Sequence, residues 1–351
     1  MDKPFLAKLR RIDPYVPGEQ PQSDDIIKLN ANENPYPPAP GVQETLRTFD
    51  ASRLALYPDA NGKALKNALA NRFGVKPPQV FLGNGSDDVL ALAFQSFFCS
   101  EQPILYPDIT YSFYPVWCDL FRIPYETVPL DENFCVNVRD YDKPNGGIVL
   151  PNPNAPTGRG VSLDFLEDLL QHNADCVVII DEAYVDFGAQ SAVPLLSKYE
   201  NLLVVQTMSK SRSLAGLRIG YALGSETLIA TLEEVKNSYN SYTMDALALA
   251  AGEAAVKDEA YFQATCRKVI ATRDRTAEEL RALGFAVQPS LTNFLFVTHP
   301  AKKAPEIFEY LRQKKIFIRY FKLPRIDNYL RITVGTDEQM DRMIDALRAF
   351  L

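Results

Sequence analysis

The sequence contains few of the residues that build disulfide frameworks or metal sites. It has five cysteines and two histidines in 351 residues, and no two cysteines have CxxC spacing. An odd number of scattered cysteines argues against a disulfide-stabilised fold and against a zinc knuckle. His, Asp and Glu form no cluster with metal-ligand spacing. We therefore expect a protein of the reducing cytoplasm that holds no metal.

Long apolar runs and an excess of positive charge are also lacking. No uncharged apolar run approaches the roughly 18 residues that a membrane-spanning helix needs, and residues 1–15 lack the apolar core of a signal peptide. Asp and Glu number 44 against 37 Lys and Arg, which gives a net charge of −7. An acidic chain binds nucleic acid and anionic membranes poorly. We expect neither as a partner, so a local cluster of Arg and Lys must hold any anionic ligand.

The chain does contain the pattern of an α/β protein. Its length predicts two domains. Short, nearly uninterrupted apolar runs are typical of strands that are buried on both faces of a mostly parallel sheet; they lie at 80–83, 103–106, 147–150, 176–181, 202–207 and 219–223. Helical periodicity is found at 62–73, 86–98, 161–171 and 245–283. Strands are also predicted at 286–288, 293–297, 316–320 and 330–335, with two helices between them.

These patterns predict an N-terminal arm, a large domain and a small domain. Residues 1–40 are rich in Pro, Asn and charge and are predicted to be extended rather than helical. Residues 41–243 would form the large α/β domain around the mostly parallel central sheet. Residues 244–351 would form a smaller α+β domain.

Two motifs lie at the ends of predicted strands, where an open α/β sheet places its ligand site. In GNGSDD (83–88), Ser86 is predicted to be the N-cap of a helix whose free N–H groups could bind phosphate; an ordinary strand–turn–helix junction is the alternative. In IIDEAYVDF (179–187), Asp181 ends a strand and could pair with a protonated pyridine nitrogen. Tyr184 could then donate to an oxygen on the same ring, although an acid that caps a turn remains the alternative.

Two further motifs concern a lysine and a turn. In TMSKSRSLAGLRIGYALG (207–224), the phosphate-binding types Thr207, Ser209 and Arg218 surround Lys210. A lysine in such a site can lose its proton and form a Schiff base. A solvated basic loop is disfavoured because the segment runs directly into a glycine-rich buried strand. LPNPNAPTG (150–158) is a Pro/Asn turn after a strand, and one of its amides could lie near a ring oxygen.

In this order, the four motifs resemble the fold type I aminotransferases that depend on pyridoxal 5′-phosphate (PLP), over nearly the whole chain. Other segments are similar to the histidinol-phosphate aminotransferase family, namely YVPGE (15–19), KLNANENPYPP (28–38), LYPD (56–59), SKSRSLAGLR (209–218), LTNFLFV (291–297), Arg319 and LRITVG (330–335). The resemblance implies a homodimeric enzyme of amino-acid biosynthesis with PLP as its cofactor.

The resemblance also implies individual roles. Lys210 would carry the cofactor, Asp181 would pair with the ring nitrogen, and Tyr184 would contact the ring oxygen. The remaining cofactor-binding residues would be Gly85, Ser86, Ser209 and Arg218 on the phosphate, with Thr207 nearby, Tyr111 on the ring face, and Tyr57 on the phosphate of the neighbouring subunit. Asp87 would also belong to the cofactor-binding set. Arg319 and Arg331 would bind the anionic end of the substrate, in a pocket lined by Tyr15, Asn32 and Tyr242.

One position departs from the family pattern. The family commonly has asparagine directly before Pro-Thr-Gly, where its amide contacts the cofactor oxygen, and this chain has Ala155. We expect Asn152 or Asn154 to supply the amide instead, with Asn152 preferred because the turn could point Asn154 away.

The expected reaction converts histidinol phosphate and 2-oxoglutarate into imidazole acetol phosphate and glutamate. An aromatic amino-acid aminotransferase and a threonine-phosphate decarboxylase are the enzymatic alternatives, since they would share a ring-accepting pocket or much of the motif set. A non-catalytic regulator with the same fold is disfavoured, because residues 1–40 have no room for a helix-turn-helix and a linker.

Overall fold

A computed structural model describes residues 3–21 and 25–351. Residues 1, 2 and 22–24 of the predicted arm lie outside the described residues. The α-helices are α1 Pro40–Thr48, α2 Lys63–Phe73, α3 Ser86–Phe97, α4 Phe113–Phe121, α5 Leu163–His172, α6 Glu226–Tyr239, α7 Ala246–Lys257, α8 Glu259–Ala282, α9 Ala304–Gln313 and α10 Asp337–Phe350. The strands are β1 Ile27–Lys28, β2 Val80–Gly83, β3 Ile104–Pro107, β4 Tyr125–Val128, β5 Gly147–Pro151, β6 Val178–Asp181, β7 Leu202–Thr207, β8 Gly220–Gly224, β9 Ala286–Val287, β10 Phe294–Thr298, β11 Ile316–Phe317, β12 Arg319–Tyr320 and β13 Leu330–Thr333.

The central sheet has seven strands in the order β2-β8-β7-β6-β5-β3-β4. Neighbours from β7 to β4 are parallel, whereas β8 runs antiparallel to both β2 and β7. Every residue of β5, β6 and β7 is buried, because apolar clusters cover both faces of the sheet. The predicted α/β fold class with a mostly parallel sheet is confirmed.

The carboxyl ends of the central strands place the predicted motifs together. β6 ends at Asp181, β7 ends at Thr207, and the two strands are parallel neighbours. β2 ends at Gly83, directly before the turn into α3. Because parallel strands end at one edge of the sheet, the polar residues that follow them meet there.

A second, smaller sheet has the order β12-β13-β10-β9, and β1 pairs in parallel with β11 in a two-stranded sheet. Their apolar core includes Leu29, Leu295, Ile332 and Met340. The segment around β1 therefore packs with the smaller sheets. Apart from a short 3-10 helix at Pro4–Lys8, the described arm before β1 contains no helix, as predicted.

Two predicted elements are divided in the structure. The helical stretch 245–283 is two helices, α7 and α8, because Asp258 between them has the non-helical conformation φ −91°, ψ 63°. The predicted strand 316–320 is β11 and β12, since the run changes partner at Ile318 from β1 to β13. The helices predicted at 62–73, 86–98 and 161–171 are confirmed to within two residues at each end.

The domain boundary at residue 243 stays a prediction. α7 follows this boundary, yet its buried residues Ala248, Ala251, Ala255 and Val256 belong to the apolar cluster on one face of the central sheet. The small-domain core begins along α8, with Ala277 and Leu280. Among the described residues, no helix is both long enough and apolar enough to cross a membrane.

Candidate active site

A cavity of about 240 Å³ opens where the central strands end and the small sheet begins. It is lined by thirteen of the residues that the sequence predicts for the site: Tyr15, Asn32, Ser86, Asp87, Tyr111, Asp181, Tyr184, Thr207, Ser209, Lys210, Arg218, Arg319 and Arg331. Gly85 lies directly before Ser86, at the start of α3.

Lys210 lies on a tightly bonded loop three residues after β7. The Thr207 hydroxyl donates to Ser209 Oγ at 2.9 Å and accepts the Ser209 N–H at 3.1 Å. Asn34 Nδ2 donates to the Lys210 carbonyl at 3.0 Å, which fixes the backbone. The amine Nζ donates to the neutral Ala31 carbonyl at 3.2 Å, and no carboxylate of the described residues pairs with it. A fixed loop therefore presents an amine that can react in the cavity.

The start of α3 forms an anion-binding end of the cavity. Ser86, which was predicted as the N-cap, is instead the first helical residue, and Gly85 is the N-cap. Gly85 has φ +88°, a conformation that glycine adopts readily. Because the N-cap residue has no side chain, the N–H groups of the first turn are left for an anion.

A close backbone approach shapes the same end. A Cβ atom on Gly220 would lie 2.3 Å from the Gly85 carbonyl carbon and 2.4 Å from the Ser86 nitrogen, so only glycine fits at the start of β8. Arg218, just before β8, donates to Asp87 Oδ2 at 3.1 Å. Asp87 also accepts the Tyr111 hydroxyl at 2.8 Å and thereby ties the arginine to the aromatic wall.

Asp181 is a buried carboxylate whose charged form is destabilised by burial. It is 5% exposed and accepts the Tyr114 hydroxyl at 2.7 Å and the Ala183 N–H at 3.2 Å. Burial raises the pKa of Asp181 to about 6, although these two hydrogen bonds act in the opposite direction. A cationic partner in the cavity would offset the cost of the buried charge.

Tyr184, Tyr111 and Tyr15 give the cavity three phenol groups. Asn32 Nδ2 donates to the Tyr184 hydroxyl oxygen at 2.8 Å. Burial, and after it the neighbouring Asp87, raises the pKa of Tyr111 well above its ordinary value, so its hydroxyl keeps its proton. Tyr15 of the arm stacks on Phe113, with ring centroids 4.3 Å apart. Flat aromatic surfaces thus line the cavity.

Two arginines face each other across strands at the small-domain side of the cavity. Arg319 of β12 and Arg331 of β13 are direct antiparallel partners. Each guanidinium carbon lies 5.4 Å from the ring centroid of Phe321. Arg331 donates to the Asn30 carbonyl at 3.1 Å, and burial lowers its pKa, with a further contribution from Arg319 in the same direction. Like charges in directly opposed positions are destabilising without an anion between them.

The structure does not bring four predicted residues into the cavity. Asn152 accepts the Val161 N–H at 2.9 Å and donates to the Gln190 carbonyl at 3.2 Å. Asn154 donates to the Ile109 carbonyl at 2.8 Å and accepts the Thr110 hydroxyl at 2.9 Å. Both amides thus hold the turn, and the cavity is lined instead by Pro151, Pro153 and Ala155.

Tyr57 and Tyr242 are the other two. They stack on each other with centroids 4.6 Å apart, outside the cavity of their own chain. Tyr57 is 81% exposed.

Sequence reasoning missed Tyr114, Asn30 and Ala31. Tyr114 lies three residues after Tyr111 at the start of α4, and a buried hydroxyl at that spacing needs a polar partner. This spacing was the available signal. Asn30 and Ala31 act through backbone carbonyls, which no residue type reveals.

The donor set fits PLP. The N–H groups at the start of α3, the hydroxyls of Ser86 and Ser209, and Arg218 suit the phosphate. The buried Asp181 suits a protonated ring nitrogen, and the Lys210 amine suits the aldehyde. Among the described residues, no group of three or more His, Cys, Asp and Glu side chains could hold a metal.

Comparison with known proteins defines the class. The family model for aminotransferase class I and II matches residues 24–347. A protein from Dechloromonas aromatica described as histidinol-phosphate aminotransferase 2 is 55% identical over 99% of both chains. A histidinol-phosphate aminotransferase from Acinetobacter baumannii is 54% identical over 98% of this chain and 96% of that one.

Among solved structures, the histidinol-phosphate aminotransferase of Sinorhizobium meliloti in complex with PLP has a TM-score of 0.83 at 25% identity, with 93% of this chain and 92% of that one covered. The chain therefore belongs to the histidinol-phosphate aminotransferase family of class I and II aminotransferases. The predicted fold type I architecture, PLP-dependent aminotransferase activity and cofactor are confirmed.

Proposed function

We propose that this enzyme transfers the amino group of histidinol phosphate to 2-oxoglutarate, giving imidazole acetol phosphate and glutamate in histidine biosynthesis. The observation that carries the proposal is the cross-strand pair of Arg319 and Arg331 at the cavity wall. Two guanidinium groups can hold a phosphate dianion through several charge-assisted hydrogen bonds. One of them suffices for the single charge of a carboxylate.

The other cavity residues divide the remaining work. When bound, PLP supplies an electron sink for the carbon that loses its proton. Lys210 Nζ would take that proton and deliver it to the aldehyde carbon of the cofactor, as general base and then general acid. Asp181 would hold a proton on the ring nitrogen, and Tyr111 would cover the ring face. Gly85 and Ser86 at the start of α3 would hold the phosphate of the cofactor together with Thr207, Ser209 and Arg218. Asp87 would hold Arg218 in place through their hydrogen bond.

An aromatic aminotransferase and a threonine-phosphate decarboxylase stay as alternatives. The aromatic lining formed by Tyr15 and Tyr111 would suit an aromatic amino acid as well as an imidazole. The paired arginines favour a substrate with a phosphate, and the relatives over 50% identical favour histidinol phosphate. Release of CO₂ without any need for an oxo acid would identify a decarboxylase.

Arginine variants test the proposed substrate pair through the separate half-reactions. Arg331→Lys is expected to lower kcat/KM with both histidinol phosphate and glutamate, because both anions need its fork. Arg319→Ala is expected to harm histidinol phosphate more than glutamate, because a dianion gains more from a second cation. Each lost contact should cost roughly 1.5–3 kcal/mol. The measurement is stopped-flow absorbance of the cofactor with each amino donor.

Arg325→Ala is the matched control. Arg325 is also a small-domain arginine, but it pairs with Asp108 at 2.7 Å and does not line the cavity. It should leave the ratio of the two half-reactions unchanged. Equal losses on phenylalanine and histidinol phosphate in Arg319→Ala would favour the aromatic aminotransferase.

We further propose that the active unit is a homodimer in the cytoplasm, with Tyr57 and Tyr242 contributed to the neighbouring site. Further exposed large side chains lie close to Tyr57 or Tyr242 in the chain, among them Leu54, Leu56 and Tyr239. A patch of this kind marks an interaction surface. The five cysteines are free thiols, in agreement with a reducing compartment.

Hybrid dimers test the sharing of sites. A Tyr57→Phe chain is mixed with a Lys210→Ala chain, and the hybrid is isolated with two affinity tags. If sites are shared, each hybrid has one intact site and one site with both lesions. Its activity should therefore be half that of the parent. If each site were self-contained, the hybrid would instead show half the activity of the Tyr57→Phe homodimer.

A further inference from the structure

Asn32 is held by hydrogen bonds at both its backbone and its side chain. Its backbone N–H donates to Thr333 Oγ1 at 3.0 Å, and its carbonyl accepts Asn293 Nδ2 at 3.0 Å. Its side-chain Oδ1 lies 3.0 Å from Thr333 Oγ1, and Nδ2 lies 2.8 Å from the Tyr184 hydroxyl. The residue is 1% exposed and has φ +55°, a conformation that asparagine tolerates better than most residues.

The proton directions in this cluster follow from counting donors. The Asn32 backbone N–H can only donate, so Thr333 Oγ1 accepts it. The Thr333 hydroxyl proton then needs an acceptor, because the side chain is 2% exposed. In the described part of the chain, that acceptor is Asn32 Oδ1.

This assignment fixes the orientation of the Asn32 amide. With Oδ1 on Thr333, the amide nitrogen faces Tyr184 and donates to its hydroxyl oxygen. The reversed amide would leave the Thr333 proton without an acceptor and would take the proton of Tyr184. The phenol therefore accepts from Asn32 and keeps its own proton for an acceptor in the cavity that it lines.

We infer that Asn32 and Thr333 are positioning residues that direct the Tyr184 hydroxyl proton toward the ring oxygen of the cofactor. This inference rests on the proposed function only through the assignment of Tyr184 to that oxygen. Ala155 leaves the turn without the asparagine amide that the family commonly has there. Asn32 supplies a substitute amide, which acts through Tyr184. The amide comes from the N-terminal segment rather than from Asn152 or Asn154.

The test is the pH titration of the visible absorbance of PLP bound to the holoenzyme, without substrate. A hydrogen bond to a charged oxygen favours the charged form. At high pH the nitrogen that links the cofactor to Lys210 has lost its proton and no longer shares it with the ring oxygen. Loss of the Tyr184 hydrogen bond therefore destabilises the high-pH form most. Thr333→Val is therefore expected to raise the midpoint of the titration by about one pH unit. The charged neighbours Lys210 and Arg331 are unchanged in this variant.

Three further variants make the test specific. Thr333→Ser keeps the hydroxyl and should retain the parental midpoint. Tyr184→Phe should raise the midpoint at least as much as Thr333→Val, and the double variant should show no further rise, because Thr333 acts through Tyr184. Thr276→Val is the control: Thr276 is a fully buried threonine on α8, outside the cavity, with no hydrogen-bond partner for its hydroxyl among the described residues.

The outcomes separate this inference from the proposed function. A parental midpoint in Thr333→Val, together with a raised midpoint in Tyr184→Phe, would overturn the positioning role and leave the role of Tyr184 intact. Parental midpoints in both variants would overturn the assignment of Tyr184 and the inference with it. Neither result bears on the substrate pair, which the half-reactions measure separately.

Discussion

Replacing Lys210 with alanine is expected to reduce turnover by roughly 10⁴-fold or more, because the covalent link and the proton transfer use the same amine. The variant should still bind PLP through the anion site at the start of α3. In the parent enzyme, borohydride reduction followed by peptide mapping should place the cofactor on Lys210. These two measurements separate loss of chemistry from loss of binding.

Lys198→Ala is the matched control for this experiment. Lys198 also precedes the lysine loop in the chain, but it is exposed, pairs with Glu167 at 3.0 Å and does not line the cavity. It should keep parental activity and labelling. Cofactor attached to any lysine other than Lys210 would refute the central assignment.

Replacing Asp181 with asparagine is expected to lower kcat/KM on the order of 10²–10⁴-fold, because the ring nitrogen loses its charged partner. The same change should stabilise the cofactor-free protein at neutral pH. Burial raises the pKa of Asp181 from 3.8 to about 6, so the folded state binds a proton more tightly than the unfolded state. Stability from this group is therefore lost as the pH rises from about 4 to 6.

The size of the stability effect follows from the shift of about two pH units, which corresponds to roughly 3 kcal/mol. Urea unfolding of the cofactor-free Asp181→Asn and parent proteins at pH 7.5 and pH 5 measures it. The variant should be the more stable of the two at pH 7.5, with a smaller difference at pH 5. If the difference in the free energy of unfolding were the same at both pH values, it could not arise from the buried charge of Asp181.

Glu182→Gln is the matched control. Glu182 is the neighbouring buried carboxylate, and burial raises its pKa to about 7. It accepts hydrogen bonds from Ser191, Ala192 and Gln206 and does not line the cavity. Glu182→Gln should therefore change the stability but keep kcat/KM within about threefold of the parent. If Asp181→Asn also kept kcat/KM within about threefold, Asp181 would have no role in the chemistry.

The site residues that lie at the ends of strands could be predicted from the sequence. Asp181 and Thr207 end uninterrupted apolar runs, and the regular geometry of parallel strands places such ends at one edge. The lysine loop could be predicted for a related reason, because phosphate-binding side chains surround Lys210 just before another buried strand. The helical pattern also placed α2, α3 and α5 closely.

The direction of turn side chains could not be predicted. Asn152 and Asn154 occur where the motif suggests a cofactor contact, but their amides bond instead to backbone groups of other segments, at Ile109, Val161 and Gln190. The N-cap of α3 was misplaced because Ser86 is the commoner capping type, whereas the backbone at Gly85 needs a positive φ. The spacing of Tyr114 from Tyr111 signals a polar partner but does not identify Asp181, 67 residues away. The role of Asn32 depends on Tyr184, 152 residues away, which periodicity does not reveal.

Residues 30–34 contact the chemical groups of the site in order along the chain. The Asn30 carbonyl holds Arg331, the Ala31 carbonyl holds Lys210 Nζ, Asn32 holds Tyr184, and Asn34 holds the backbone of the lysine loop. A one-residue insertion here would misplace all of these groups at once. Evolution toward a new substrate is therefore constrained in this segment, and changes of specificity should accumulate in the arm around Tyr15 and at Arg319, which line the cavity without holding Lys210 or Tyr184.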